Sequence, residues 1–147
     1  MNNAEMIKLY SGKILELAAA IPHAGRLEAP DVTATKRSPL CGSTVSVDLV
    51  LRHGVIAEFA QDVKACALGQ ASAAVSGAQM IGRNEAEVAQ ARAELAEMLK
   101  KDGPVPTAPF EGFEVLMPAR EYKNRHASIL LTLDATLGAF EAQRATA

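Results

Sequence analysis

The stretch TVSVDLVLRHGVIAEFAQDV, residues 44–63, decides the fold of this chain. From Thr44 to Leu51 the apolar residues at positions 45, 47, 49 and 51 share one face, and Ser46, Asp48 and Val50 share the other, as the two-residue repeat of a half-buried strand predicts. His53-Gly54 then marks a tight turn, because glycine accepts the positive φ that a two-residue hairpin requires. The alternation resumes over residues 55–63, so the stretch predicts an antiparallel hairpin.

Segments on both sides of the hairpin have helical spacing, with apolar residues at every third or fourth position. The predicted helices cover residues 4–20, 66–81 and 85–101 and run from 122 to about 140; residues 32–37 suit an edge strand, and residues 102–118 form a loop. Four prolines and two glycines make that loop long enough to be an insertion or a functional flap. This order predicts an α+β fold, with a small antiparallel sheet of two or three strands and helices packed on it.

Length and composition narrow the class of protein. A chain of 147 residues with 49% hydrophobic and 22% charged residues predicts a single folded domain, residues 1–147. The net charge of -2 argues against a nucleic-acid partner, and 4% aromatic residues argue against base-stacking surfaces. We find no apolar run long enough to cross a bilayer and no secretory-signal pattern, so the sequence predicts a cytoplasmic protein without a membrane partner.

Two cysteines flank the predicted hairpin. Cys41 lies just before its first strand, and Cys66 lies where its second strand gives way to a helix. Because a hairpin returns the chain to the side it left, the two sulfurs can be neighbours. The positive end of the helix dipole favours a thiolate at Cys66. His126, near the start of the last helix, would complete a Cys-Cys-His set suited to zinc or an iron–sulfur cluster.

Other interpretations of these residues stay open at this point. Buried cysteines and a histidine on an apolar helix face are more often structural than ligating, and the sequence has no CxxC or HxxxH motif. A catalytic pair of Cys66 and His126 lacks an orienting third group. A disulfide between Cys41 and Cys66 is disfavoured in a reducing cytoplasm. His53 is expected at the hairpin tip and His23 in a loop.

Three segments resemble the IscU/NifU/SufU family of iron–sulfur cluster assembly scaffolds. They are PLCGSTVSV at 39–47, GVIAEF at 54–59 and CALGQASAA at 66–74. The family pattern is NP-x-CGD, a hairpin, a G-C-A-I-S-x-A-S-x-S helix and a late cysteine that opens a C-terminal helix. The resemblance runs from about Tyr10 to Phe140 and implies the NifU/IscU-like fold. Residues 102–120 look most like the longer insertion of the SufU subgroup.

The resemblance implies that Cys41 and Cys66 ligate a cluster or zinc. Ser43 stands where the family has a ligand aspartate. Pairing HASIL, residues 126–130, with the family's H-C-S-I-L places His126 on the ligand histidine and Ala127 on the third cysteine. In the family that cysteine usually accepts persulfide sulfur, so direct sulfur reception by this route is lost.

A second alignment is open, in which Arg120 represents the arginine of the SufU-type P-a-R-x-K-C run. Under either alignment the chain has no third cysteine. The family's chaperone-recognition stretch, LPPVK, is not recognisable in this sequence.

The function implied is a non-enzymatic scaffold or carrier. It would bind a [2Fe–2S] cluster, iron or zinc through Cys41, Cys66 and His126, with Ser43, a carboxylate, water or a partner's thiolate in the fourth position. A cysteine desulfurase and iron–sulfur acceptor proteins are the implied partners. One alternative is a ligand-depleted paralogue that acts by docking to such proteins; another is a sulfurtransferase carrying persulfide on Cys41 or Cys66. The oligomeric state stays open.

Overall fold

The computed structural model describes residues 11–146. One antiparallel sheet has the strand order β1-β2-β3, with β1 at Val32–Arg37, β2 at Thr44–Arg52 and β3 at Val55–Lys64. The predicted hairpin and the edge strand are both confirmed. His53 and Gly54 turn the chain with φ values of 55° and 77°, as the two-residue loop requires.

Helices cover the sheet and confirm the α+β class. They are α1 at Gly12–Ala18, α2 at Ala67–Met80, α3 at Glu85–Lys100 and α4 at His126–Thr146, with 3-10 helices at Glu111–Glu121 and Lys123–Arg125. Positions 4–10 of the first predicted helix lie outside the described residues. Helix α2 packs against α1, α4 and β3, and its small residues permit these close approaches. Among residues 11–146, no helix has the length and apolar character that crossing a membrane demands.

The segment predicted as a loop over residues 102–118 is helical in its second half. Phe110, Phe113, Leu116 and Ala119 are all buried, and the rings of Phe110 and Phe113 stack with centroids 6.1 Å apart. Their spacing of three is the repeat of a 3-10 helix, in which residues i and i+3 eclipse one another. The flap interpretation is therefore wrong, because these side chains belong to the core.

Asp48 lies on the face of β2 that the alternation predicts as polar, yet it is only 1% exposed. The preceding segment folds over it. Arg26 donates to both carboxylate oxygens at 2.7 and 3.0 Å, and the Leu27 N–H and the Thr33 hydroxyl also donate, at 3.0 and 2.5 Å. The hydrogen bond from Arg26, together with those from Thr33 and Leu27, outweighs burial and lowers the pKa of Asp48.

Replacing this carboxylate is expected to make the protein less sensitive to acid. A lowered folded-state pKa contributes stability above the unfolded value of about 3.9, and this contribution disappears as pH falls through the folded value. Asp48→Asn should therefore lower the free energy of unfolding by about 1–2 kcal/mol at neutral pH. Urea unfolding should show this difference shrinking below about pH 4. The exposed Glu58→Gln is the control, and an equal pH response in both variants would contradict the assignment.

Gln61 joins three elements inside the core, where it is 0% exposed. Its Nε2 donates to the carbonyl of Ala73 in α2 at 2.9 Å and to that of Pro22 at 3.3 Å. The Thr132 hydroxyl of α4 donates to its Oε1 at 3.0 Å. The amide therefore ties β3 to both helices that lead away from the cysteine end of the sheet.

Candidate functional site

Sheet register brings both cysteines to one end of the molecule. Thr44 pairs with Arg37 on one side and with Lys64 on the other, so the residues that follow β1 and β3 leave the sheet together. A tight loop over residues 38–43 is closed by the Ser38 N–H, which donates to the Ser43 carbonyl at 2.8 Å. Cys41 is exposed on this loop. Cys66, half-buried, directly precedes α2, as the sequence predicts.

Three buried serine hydroxyls lie around the two sulfurs. The Sγ of Cys41 lies 3.1 Å from the Oγ of Ser38 and 3.4 Å from the Oγ of Ser43. The Ser128 hydroxyl, in the first turn of α4, donates to Ser43 Oγ at 2.9 Å and lies 3.8 Å from the Sγ of Cys66. A chain of hydroxyls thus connects one thiol to the other; we call these five residues the serine–cysteine cluster.

The surroundings of Cys41 favour its thiolate. Partial burial raises the pKa of the thiol, but hydrogen bonds from Ser38, Ser43 and Ser128 favour the charged form and prevail. The pKa of Cys41 is lowered to about 7. An exposed sulfur that is ionised in a substantial fraction of molecules at neutral pH is suited to binding a soft metal or to attacking sulfur.

Alkylation should report this ionisation directly. In a Cys66→Ala variant, the rate of reaction of Cys41 with iodoacetamide is expected to rise with pH around a midpoint of about 7. Adding Ser38→Ala should move the midpoint upward, because a hydrogen bond to the thiolate is lost. Adding Ser46→Ala instead should leave it unchanged, because the Ser46 hydroxyl bonds that of Thr35 on β1 and not the sulfur. A midpoint near the ordinary thiol value of about 8.5 in the parent variant would contradict the assignment.

His126 opens α4 but is held by the preceding turn. It is 3% exposed, and its Nε2 lies 3.0 Å from the carbonyl oxygens of both Ala119 and Arg120. Since both partners are acceptors, Nε2 carries the hydrogen, and Nδ1 is the nitrogen with a free lone pair when the ring is neutral.

The predicted Cys-Cys-His set is not assembled in this structure. Within residues 11–146, no three His, Cys, Asp or Glu side chains form a group that could hold a metal ion. The carbonyl contacts of His126 engage Nε2 and leave Nδ1 available, which is the usual arrangement of a ligating histidine. Ligation by Cys41, Cys66, His126 and Ser43 stays a prediction. The structure brings Cys41, Cys66 and Ser43 together.

Sequence reasoning missed Ser38 and Ser128. Serine is too common in loops and helix ends to stand out. The available signal was closeness in sequence, because Ser38 precedes Cys41 by three positions and Ser128 follows His126 by two. Ala127, which one of the two open alignments pairs with the family's third cysteine, lines with Ser38 a groove of about 330 Å³ between β1 and α4.

The other two histidines lie away from this cluster. His53 forms the hairpin turn, as expected. His23 lies in the segment before β1, where its ring meets Phe59 edge to face with centroids 6.2 Å apart.

Comparison with solved structures identifies the family. A crystal structure described as a nitrogen-fixing NifU-like protein (N-terminal) from Brucella abortus is 43% identical, covers 97% of this chain and 99% of its own, and superposes with a TM-score of 0.92. A putative iron-sulfur cluster assembly scaffold protein for the SUF system from Fervidobacterium islandicum is 19% identical, with coverage of 91% and 98% and a TM-score of 0.79.

A hypothetical protein solved at 2.3 Å matches with 20% identity, coverage of 92% and 98% and a TM-score of 0.78. The two matches near 20% identity show the fold alone. Neither a family model nor a curated protein sequence matches the chain. The identity to the Brucella protein extends over nearly all of both chains, and the chain therefore belongs to the IscU/NifU/SufU family.

Proposed function

We propose that this chain is a non-enzymatic scaffold or carrier of iron–sulfur cluster assembly, acting as a single domain in the cytoplasm. The observation that carries the proposal is the serine–cysteine cluster, which places two thiols and three hydroxyls at one end of the sheet. Family membership supports it, since the segments at 39–47, 54–59 and 66–74 resemble those of iron–sulfur cluster assembly scaffolds. A cysteine desulfurase would supply sulfur, and iron–sulfur acceptor proteins would receive the cluster.

Cys41 and Cys66 are the proposed ligands of the cargo. Thiolates are the donors that iron–sulfur clusters use, and they also suit zinc or iron alone. We propose a [2Fe–2S] cluster as the cargo, with the Ser43 hydroxyl, 3.4 Å from the Cys41 sulfur, as an auxiliary donor. For His126 to join through Nδ1, its ring must come to the cysteines. Water or a partner's thiolate in the remaining positions would leave the cargo easy to hand on.

A second candidate is a ligand-depleted paralogue that acts by docking to a desulfurase or an acceptor protein. The lack of a third cysteine in the sequence favours it, because the family pattern has one and Cys41 and Cys66 are the two cysteines of this chain. So does the lack of a three-residue metal-binding group within residues 11–146.

Metal analysis separates the two candidates. The protein would be purified anaerobically without a metal-chelating tag and analysed for iron, zinc and acid-labile sulfide, before and after reconstitution with iron and sulfide. We expect iron and sulfide in matching amounts, with a thiolate-to-iron band in the visible spectrum. A protein that retains neither iron nor zinc after reconstitution would contradict the scaffold function and support the paralogue.

A further inference from the structure

The groove between β1 and α4, which we call the β1–α4 groove, adjoins the serine–cysteine cluster. Ser38 lines it, and the hydroxyl of Ser38 lies 3.1 Å from the sulfur of Cys41. Ala127 lines it from the side of α4, one residue before Ser128. Its volume of about 330 Å³ is at the lower end of the range for small-molecule sites. The groove therefore offers room for a small ligand directly beside the proposed metal ligands.

The two walls of the groove carry opposite charges. Lys36 and Arg37 line it from β1, are exposed, and take part in none of the six ion pairs found among residues 11–146. Asp134 and Glu141 line it from α4, and Asp134 pairs at 2.9 Å with Arg92, which lies outside the groove. A ligand that complements both walls carries carboxylate as well as ammonium groups.

Apolar residues supply the rest of the lining. Leu131 and Leu137 of α4 belong to it, as does Gly138. A Cβ built at Gly138 would lie 3.0 Å from the Cε of Lys36, so the glycine leaves room for the lysine side chain to lie along the groove. A lining that is apolar between a few charged groups is typical of sites for small organic ligands.

Ala127 marks a position at which this chain has no thiol. Four thiolates typically hold a [2Fe–2S] cluster, whereas Cys41 and Cys66 are the two cysteines of the chain. One of the two open alignments pairs Ala127 with the third cysteine of the family. Since Ala127 lines the groove, a thiol bound there would approach the cargo from the place where that side chain would have begun.

We propose that the β1–α4 groove binds a small peptide thiol with carboxylate and ammonium groups, whose sulfur, next to Ser38 and Ala127, supplies a ligand that the chain lacks. This inference rests on the proposed function, because the sulfur would bind its cargo. Lys36 and Arg37 would face the carboxylates, and the α4 wall would face the ammonium group. The thiol releases its proton to solvent as its sulfur binds iron, and no oxidant or reductant is consumed.

A first measurement tests the groove in the absence of metal. Amide signals of the metal-free, ¹⁵N-labelled chain would be followed by NMR during titration with S-methylglutathione, a charged tripeptide whose blocked sulfur cannot form a thiolate. We expect the largest shifts at Ala127, Leu131 and Gly138, along the groove, and none at the hairpin turn around Gly54. No shifts, or equal shifts at both places, would overturn the groove as a binding site.

Charge reversal at Arg37 tests the basic wall. Arg37→Glu is expected to weaken the binding of S-methylglutathione about fivefold or more, because an anion would then face the ligand carboxylates. Lys64→Glu is the matched control. Arg37 and Lys64 are both exposed and lie on either side of Thr44 in one row of the sheet, but Lys64 does not line the groove. Equal weakening by the two variants would overturn the site.

Reconstitution with iron and sulfide tests the role of the sulfur. Retained iron would be compared in equal concentrations of glutathione and of 2-mercaptoethanol, a thiol without charged groups. We expect glutathione to raise the iron retained by the wild type about threefold or more, because bound ligand stabilises the loaded protein by mass action. Equal retention in the two thiols would overturn the proposal.

Substitution of Ala127 provides a second test of that role. Ala127→Cys supplies a thiol from the chain itself, so its iron retention should be high in either thiol. Ala127→Ser has a side chain of similar size without a thiol and should still depend on glutathione. A variant Ala127→Cys that depends on glutathione as the wild type does would contradict the placement of the ligand sulfur.

The metal-free and reconstituted measurements fail in different ways. A chain that binds S-methylglutathione in the groove but retains no iron in any thiol would overturn the scaffold function, and the ligand role of the sulfur with it. A chain that retains iron equally in both thiols and leaves the groove signals unmoved would overturn this inference alone.

Discussion

Replacing either cysteine by alanine is expected to remove nearly all the iron and sulfide that the reconstituted protein retains. Cys41 and Cys66 are the two cysteines of the chain and the proposed thiolate ligands. Each single variant leaves one thiol beside neutral hydroxyls, which are poor donors for a cluster. We expect retained iron, measured against acid-labile sulfide, to fall by about tenfold or more in each variant.

Serine variants provide the matched comparison. Ser38→Ala and Ser128→Ala change the same cluster but keep both thiols, so they should retain most of the iron. Circular dichroism would verify that all four variants are folded. If Cys41→Ala and Cys66→Ala both keep the wild-type iron content, the assignment of these cysteines as ligands is wrong.

Gly69→Ala is expected to damage both the fold and the site. A Cβ at Gly69 would lie 2.5 Å from the Oγ of Ser128 and 2.8 Å from the Cβ of Ala65. Neither neighbour can retreat freely, because the Ser128 hydroxyl also bonds Ser43 and because Gly69 and Ser128 lie on two helices, α2 and α4, that pack together. We expect the free energy of unfolding, from urea titration, to fall by about 1–3 kcal/mol.

Loss of site geometry should accompany that loss of stability. Pushing the start of α2 away from Ser128 would also move Cys66, three positions before Gly69, and iron retention after reconstitution should fall. Gly12→Ala is the control, because a Cβ there meets nothing within 4 Å and alanine favours a helix. An unfolding free energy of Gly69→Ala equal to that of the wild type would contradict the close packing described here.

The hairpin was predictable because two local signals agree there. Strict alternation determines which face of each strand is buried, and the glycine at position 54 determines where the chain turns. The 3-10 helix from Glu111 was missed because prolines and glycines suggested a loop, although a repeat of three begins at Phe110. Burial of Asp48 was also missed, since the segment that covers it comes from more than twenty positions away.

The candidate site was predictable in its sulfurs and not in its hydroxyls. Placing Cys41 and Cys66 at the two ends of a hairpin requires only that antiparallel strands return the chain. The role of Ser128 depends on where α4 begins and on how that helix meets the loop before β2, which is a matter of tertiary packing. The contacts of His126 likewise depend on the 3-10 helix that the sequence did not reveal.

Hydrogen bonds between α4 and the core hold one side of the cysteine end in place, whereas the Cys41 loop on the other side is freer to adjust. Just past the serine–cysteine cluster, the Ser72 hydroxyl donates to the carbonyl of Ile129, and Thr132 bonds the buried amide of Gln61. Sliding α4 along its axis would leave these polar groups buried without hydrogen-bond partners, at a cost of about 1–3 kcal/mol for each. The loop with Cys41 has exposed residues at 39–42, and the hydrogen bonds of Cys41 and Gly42 run within the loop. The Cys41 loop is therefore expected to change conformation when a cargo binds, while Cys66 and Ser128 stay in position.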